Sequence, residues 1–170
     1  AAGLPDGSIR LRFTDIDASR LSGRSGTPEI TGPMSGLVTA EGKYPAFLPF
    51  LFAARGELAL EVSSGSLRNF DLADFRRRLD AGALFNLPLT YRGSEQLNAA
   101  ALKARLENGV ALVTEGSLSF GGGDLTFTGA LPLFSDGVAV RGQIIDAEGG
   151  AVRRFFAAGS ARLPFVTPVN

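Results

Sequence analysis

The stretch that most limits what this chain can become is 102–109, which reads Leu-Lys-Ala-Arg-Leu-Glu-Asn-Gly. Leu102, Ala104 and Leu106 alternate with Lys103, Arg105 and Glu107, a period of two that gives a β-strand one apolar and one charged face. Asn108 and Gly109 follow with the strongest short-range signal for a two-residue hairpin. A chain written this way builds antiparallel sheet, and the apolar face of that sheet must be covered or used.

The same signals recur along the chain. Ile9, Leu11 and Phe13 alternate with Ser8, Arg10 and Arg12, and 29–42 offer one or two strands through Ile30, Met34, Leu37 and Val38. Pro33 argues there for an edge or a bulge. Val110, Leu112, Leu118 and Phe120 continue the meander, 121–124 turn it, and Leu125 and Phe127 return against Thr126 and Thr128. A turn at 132–137 leads to Val138, Val140, Gly142 and Ile144, and 160–165 read as a closing strand. Residues 151–158 read as one or two helical turns. Glycine supplies 22 of 170 residues, about twice the usual share of roughly 7%, scattered between short segments as hairpin chemistry requires.

Residues 56–82 hold a strand, a turn, a second strand and a helix. Leu58, Leu60 and Val62 alternate with Glu57, Ala59 and Glu61, and 63–66 are expected to turn the chain, with Gly65 suited to a tight hairpin. Asp71 is placed to cap a helix by accepting the amide of Asp74, and Phe70 and Phe75 sit at the spacing of a hydrophobic staple. Leu72, Phe75 and Leu79 form one stripe, Arg76, Arg77 and Arg78 follow toward the negative end, and Gly82 can close the helix. Residues 44–55 are densely apolar, with Pro45 suited to a first turn and Pro49 against a long helix. They predict a short, broken helix packed in the core, because only Lys43 and Arg55 flank them and an interfacial membrane helix wants a basic polar face.

The fold class that follows is mostly β: a curved, largely antiparallel sheet, open or half-closed into a groove. About eight short strands and two or three short helices make it up, with one helix plugging the sheet. Residues 1–170 fit one domain, and a chain opening on Ala1 fits a piece excised from a longer protein.

Composition narrows the chemistry. The 17 basic and 17 acidic residues cancel, so no overall field draws the chain to nucleic acid. Histidine and cysteine are absent, which removes the commonest general base, the usual triads and thiolate metal sites. No run approaches the ~18 apolar residues of a membrane helix. The carboxylate pairs Asp15 with Asp17 and Asp71 with Asp74 have no accompanying base or ligand set, and Gly121-Gly122-Gly123-Asp124 is better explained by a hairpin turn than by a calcium repeat. No enzyme, cofactor or metal site is expected. Arg76–Arg78 can meet phosphate headgroups or form a solvated helix face, and the second use is favoured because three consecutive residues fan around a helix.

Taken together, the pieces resemble the C-terminal region of the AsmA family, bacterial envelope proteins related to the larger TamB-like proteins. The matching features are a glycine-rich strand and short apolar helix, then Gly65-x-Leu67-x-x-x-Asp71-Leu72 leading into a helix. After them come the Asn108-Gly109-Val110-Ala111 hairpin, a strand reaching Thr128-Gly129, and the closing run 157–170. The resemblance covers about 29–170. It implies a periplasmic domain of a Gram-negative protein tethered to the inner membrane by an anchor outside this sequence. It further implies a role in outer-membrane biogenesis and envelope homeostasis, with phospholipid carried between membranes along a β-rich groove.

The resulting expectation is a non-enzymatic domain whose concave apolar face forms one segment of a hydrophobic path for phospholipid acyl chains. Leu102, Ala104, Leu106, Leu125 and Phe127 are the expected groove wall, and Phe70, Asp71, Asp74 and Phe75 the helix cap and staple. Expected partners are acyl chains and neighbouring domains of the same protein, not nucleic acid. The alternative is a closed β-sandwich serving as a structural or protein-interaction module with no lipid path.

Overall fold

The computed structural model describes residues 6–21, 27–43, 54–147 and 149–169. These form one twelve-stranded antiparallel sheet that does not close. The strands are β1 (Asp6–Asp17), β2 (Glu29–Thr31), β3 (Pro33–Lys43), β4 (Arg55–Val62), β5 (Gly65–Arg68), β6 (Phe85–Asn86), β7 (Ser94–Glu107), β8 (Val110–Phe120), β9 (Gly123–Pro132), β10 (Gly137–Asp146), β11 (Val152–Ser160) and β12 (Leu163–Val169). They pair in the order β1-β3-β4-β7-β8-β9-β10-β11-β12-β6, with β5 between β2 and β7 beside the start of β7. Among the described residues a single α-helix, α1 (Leu72–Asp80), and two 3-10 turns (Ala18–Leu21, Leu87–Thr90) accompany them. The mostly β, open architecture expected from the alternation is therefore present, and the described residues do not form a closed sandwich.

Three local expectations are corrected. Residues 63–66 do not reverse the chain. β4 and β5 both run antiparallel to β7, pairing with its second and first halves respectively, so Ser63 and Ser64 kink one long strand. β2 and β3 mirror that kink: Gly32 stands so close to the backbone of Ser64 and Gly65 that a side chain there would collide with it. Residues 151–158 are strand β11, because Phe155 and Ala157 alternate with Arg154 and Phe156 and pair on both sides. The strand count among the described residues is twelve, since short segments such as β2, β5 and β6 pair without a clear period of their own. The helix expected at 44–55 falls mainly on residues outside those described.

The hairpin at 108–109 forms as its sequence requires, with Asn108 at φ 50° and Gly109 at φ 74°. Helix α1 starts where its cap predicts. The Asp71 carboxylate accepts the Asp74 amide at 2.7 Å, and the rings of Phe70 and Phe75 lie 5.5 Å apart. Gly82, at φ 72°, follows its last turn.

The helix shapes the sheet. Its first turn is tied to β7 through the Leu72 amide, which donates to Glu95 at 3.1 Å, while its far side packs on β11 and β12. Strands lie ~4.8 Å apart, so β7 and β11 would stand ~19 Å apart in a flat sheet, more than a helix diameter. The sheet therefore bends around α1. Phe75 is the pivot, with Phe85 and Phe155 edge-on at 5.8 and 5.3 Å. Pairing of β6 with Phe165 and Val166 of β12 draws the far edge back toward the helix.

Candidate functional site: the concave face

Register partners in an antiparallel sheet share a face, so the ladder resolves the concave side into rows. Nearest the helix run Ile16, Met34, Val62, Ala100, Leu118, Leu125 and Ile144. The next row is Phe13, Gly36, Leu60, Leu102, Gly116, Phe127, Gly142 and Phe155. Beyond it lie Leu11, Val38, Leu58, Ala104, Val113, Gly129, Val140 and Ala157. On β11 the first row ends in Arg153, which pairs with Ile144 and meets Asp80 of α1; no other charged side chain stands in these three rows. Glu57, Glu61, Lys103, Arg105, Glu115, Arg141 and Arg154 lie on the opposite face, where Lys103 Nζ meets Glu115 Oε2 at 2.8 Å.

The middle row has an internal rule. The rings of Phe13, Phe127 and Phe155 lie over Gly36, Gly116 and Gly142 of the adjacent strand. A Cβ on Gly36 would stand 2.6 Å from the Phe13 ring, one on Gly142 2.6 Å from Phe155, and one on Gly116 would strike Phe127. Each glycine gives its neighbour's aromatic ring a seat flat on the backbone, the arrangement that stabilises glycine within strands. The sheet gains curvature while keeping an apolar surface.

The first two rows border a cavity of about 310 Å³ whose walls include Ile30, Met34, Leu60, Leu102, Leu118 and Phe127. That volume lies at the lower end for small-molecule sites. Of the residues expected to line a groove, Leu102 and Phe127 face this cavity. Ala104 and Leu106 lie farther down the same face, Ala104 buried with Ala111 and Val113 and Leu106 half-buried against them. Leu125 is instead buried in the main core with Phe120, Ile144 and the helix residues. The sequence places Met34, Leu60 and Leu118 on strands but not on this wall, because register between strands, which spacing along one strand does not record, sets which apolar residues share a row. The recurrent Gly-in-alternation pattern, with Phe in the facing strand, is the signal that would have found them.

The acidic residues have structural tasks. Asp74 is buried, its side chain 2% exposed, and its carboxylate is held by Arg77, by Arg78 at 3.0 Å and by Arg92 at 3.0 Å. The Arg77 hydrogen bond, helped by Arg78, lowers its pKa despite desolvation. Asp71 is lowered by the Asp74 amide, and Asp17 chiefly by the Ser19 amide it accepts at 3.0 Å. Arg153 links Asp80 of α1 (2.6 Å) to Asp146 of β10 (2.8 Å), tying the helix end to the sheet. Arg76 reaches the carbonyl of Gly122 at 2.8 Å, so the glycine run serves as a hairpin turn that receives the helix. Of the three consecutive arginines, Arg76 is bound to the sheet and Arg77 and Arg78 to Asp74, which leaves α1 no free basic face. No cluster of three metal-ligating side chains occurs among the described residues, and no helix among them is long and apolar enough to cross a membrane.

No protein-family model matches the chain, and neither the curated proteins nor the solved structures contain a significant match to it.

Proposed function

We propose that the concave face binds the hydrocarbon chains of lipids, as one segment of a hydrophobic path in a periplasmic, membrane-tethered envelope protein. The observation that carries this reading is the apolar character of three rows, broken only by Arg153 at the helix end, on a sheet that does not close, with a cavity bordering the first two rows. A folded protein rarely exposes more than a few hundred Å² of contiguous apolar surface without a use for it. The resemblance of the Gly65–Leu72 and Asn108–Ala111 motifs to the AsmA family supports the same assignment, and with it phospholipid as cargo.

Binding here rests on burial, at ~0.8 kcal/mol per CH₂, so affinity should rise about fourfold with each added methylene and depend little on the headgroup. The test places a photo-crosslinking residue at position 102 or 106, and in separate experiments at 103 or 105, in the full-length protein in cells. Phospholipid adducts from 102 and 106 alone are the expected result. Adducts to protein alone, or a fatty-acid affinity blind to chain length, would return the face to an ordinary core and favour the structural module.

A further inference from the structure

The sheet face opposite the helix carries a second, differently made site. Opposite the glycine-seated rings, β8 to β12 enclose a trough of about 600 Å³. Register places Thr126, Gln143 and Arg154 side by side in one row across it, and Thr128, Arg141 and Phe156 in the next. Arg141 and Arg154 are therefore diagonal neighbours on one face, a spacing of roughly 7–8 Å that long side chains bridge. Arg141 Nε donates to Thr128 Oγ1 at 3.2 Å, which fixes the guanidinium over the trough.

Charge balance separates these two arginines from most others. Arg55, Arg76, Arg77, Arg78, Arg92, Arg153 and Arg162 each have a carboxylate within ion-pair distance, whereas among the described residues neither Arg141 nor Arg154 has one. The one carboxylate lining the trough, Glu115, is held by Lys103. Two like charges thus stand together, with hydroxyl and amide groups beside them and the exposed Phe156 ring at their edge.

We propose that this trough binds a phosphate monoester carrying an apolar or aromatic body. A monoester bears close to two negative charges at neutral pH, matching the two unpaired guanidiniums, whose planar forks suit phosphate oxygens. It also has more acceptor oxygens than a carboxylate, enough for Thr126 and Gln143 as well. Phe156 covers the body. The site is independent of the concave face and stands or falls without it.

Phenyl phosphate is titrated into the full chain by calorimetry at physiological ionic strength, with phenol and inorganic phosphate as partial probes. Saturable binding that weakens about tenfold in Arg141→Gln and in Arg154→Gln, and is unchanged in Arg105→Gln on the same face, is expected. Arg154→Lys, which keeps the charge and loses the fork, should fall between. Phosphatidylcholine vesicles with and without phosphatidic acid then separate the sources. Arginine-dependent capture of the phosphatidic acid vesicles identifies a lipid headgroup, and binding of the free ester alone a soluble ligand. No saturable binding of phenyl phosphate, or binding equal in all variants, overturns the proposal.

Discussion

The two ends of the concave face use the same sequence device to opposite effect. Beneath α1, Leu97 and Ile144 are fully buried and the helix's own Phe75 is 2% exposed; at the β1 edge, Leu11 is 54% and Ile9 37% exposed. Both ends alternate apolar with polar residues at a period of two. The contrast comes from what lies over them: one end holds a helix with its own apolar stripe, and the other holds none among the described residues. Alternation marks a face as apolar, and only a partner element decides whether that face becomes core or remains available.

This contrast is sharpest at Phe75. Truncation to Ala removes the ring that meets Phe70, Phe85 and Phe155 and should lower stability by about 3–5 kcal/mol in urea unfolding. A loss as small as that of a surface residue would mean that α1 is an ornament on the sheet, not its pivot. Gly116→Val tests the middle row. The new side chain strikes Phe127 and should cost about 1–3 kcal/mol, and Phe127→Ala in the same chain should recover at least 0.5 kcal/mol of it, the coupling expected of touching residues.

Asp74→Asn should destabilise by roughly 1–3 kcal/mol, moderated because Arg77 and Arg92 are largely solvent-exposed and can rehydrate. The pH profile carries the same information. Asp74 and Asp71 have folded pKa values lowered from the ordinary 3.8, so the unfolded chain takes up protons first as acid is added. Their contribution is complete above about pH 4 and is lost as pH falls through the lowered folded values. The variant's stability should therefore change less than the parent's across that acid range. At the bottom of the scale, Leu11→Ala should change stability by no more than about 0.5 kcal/mol. A large effect there would show that the open end is packed after all and would erase the distinction between the two ends.

Much of this architecture was legible in the residues. The cap and staple at 70–75, the Asn108-Gly109 hairpin and the two-faced pattern of β7 are local, and local chemistry decides them. What escaped was non-local. Ser63 and Ser64 carry the composition of a turn, yet β7 offers pairing on both sides of them and turns that composition into a kink. Phe155 to Ala158 is rich in residues that pack well in either helix or strand, and the free edges of β10 and β12 settle the matter. At the concave site, Leu102 and Phe127 announced themselves by alternation. That Leu125 lies in the core, although only two residues from Phe127 on the same strand and face, depends on where α1 comes to rest, which no spacing along β9 records.

The phenylalanines seated on glycines have a consequence for inheritance. Phe127 and Gly116, or Phe155 and Gly142, occupy different strands but one volume, so neither member of a pair can vary freely while the other stays fixed. In descendants of this chain each pair should change as one character: a glycine that gains a side chain should be met by a smaller residue across the ladder.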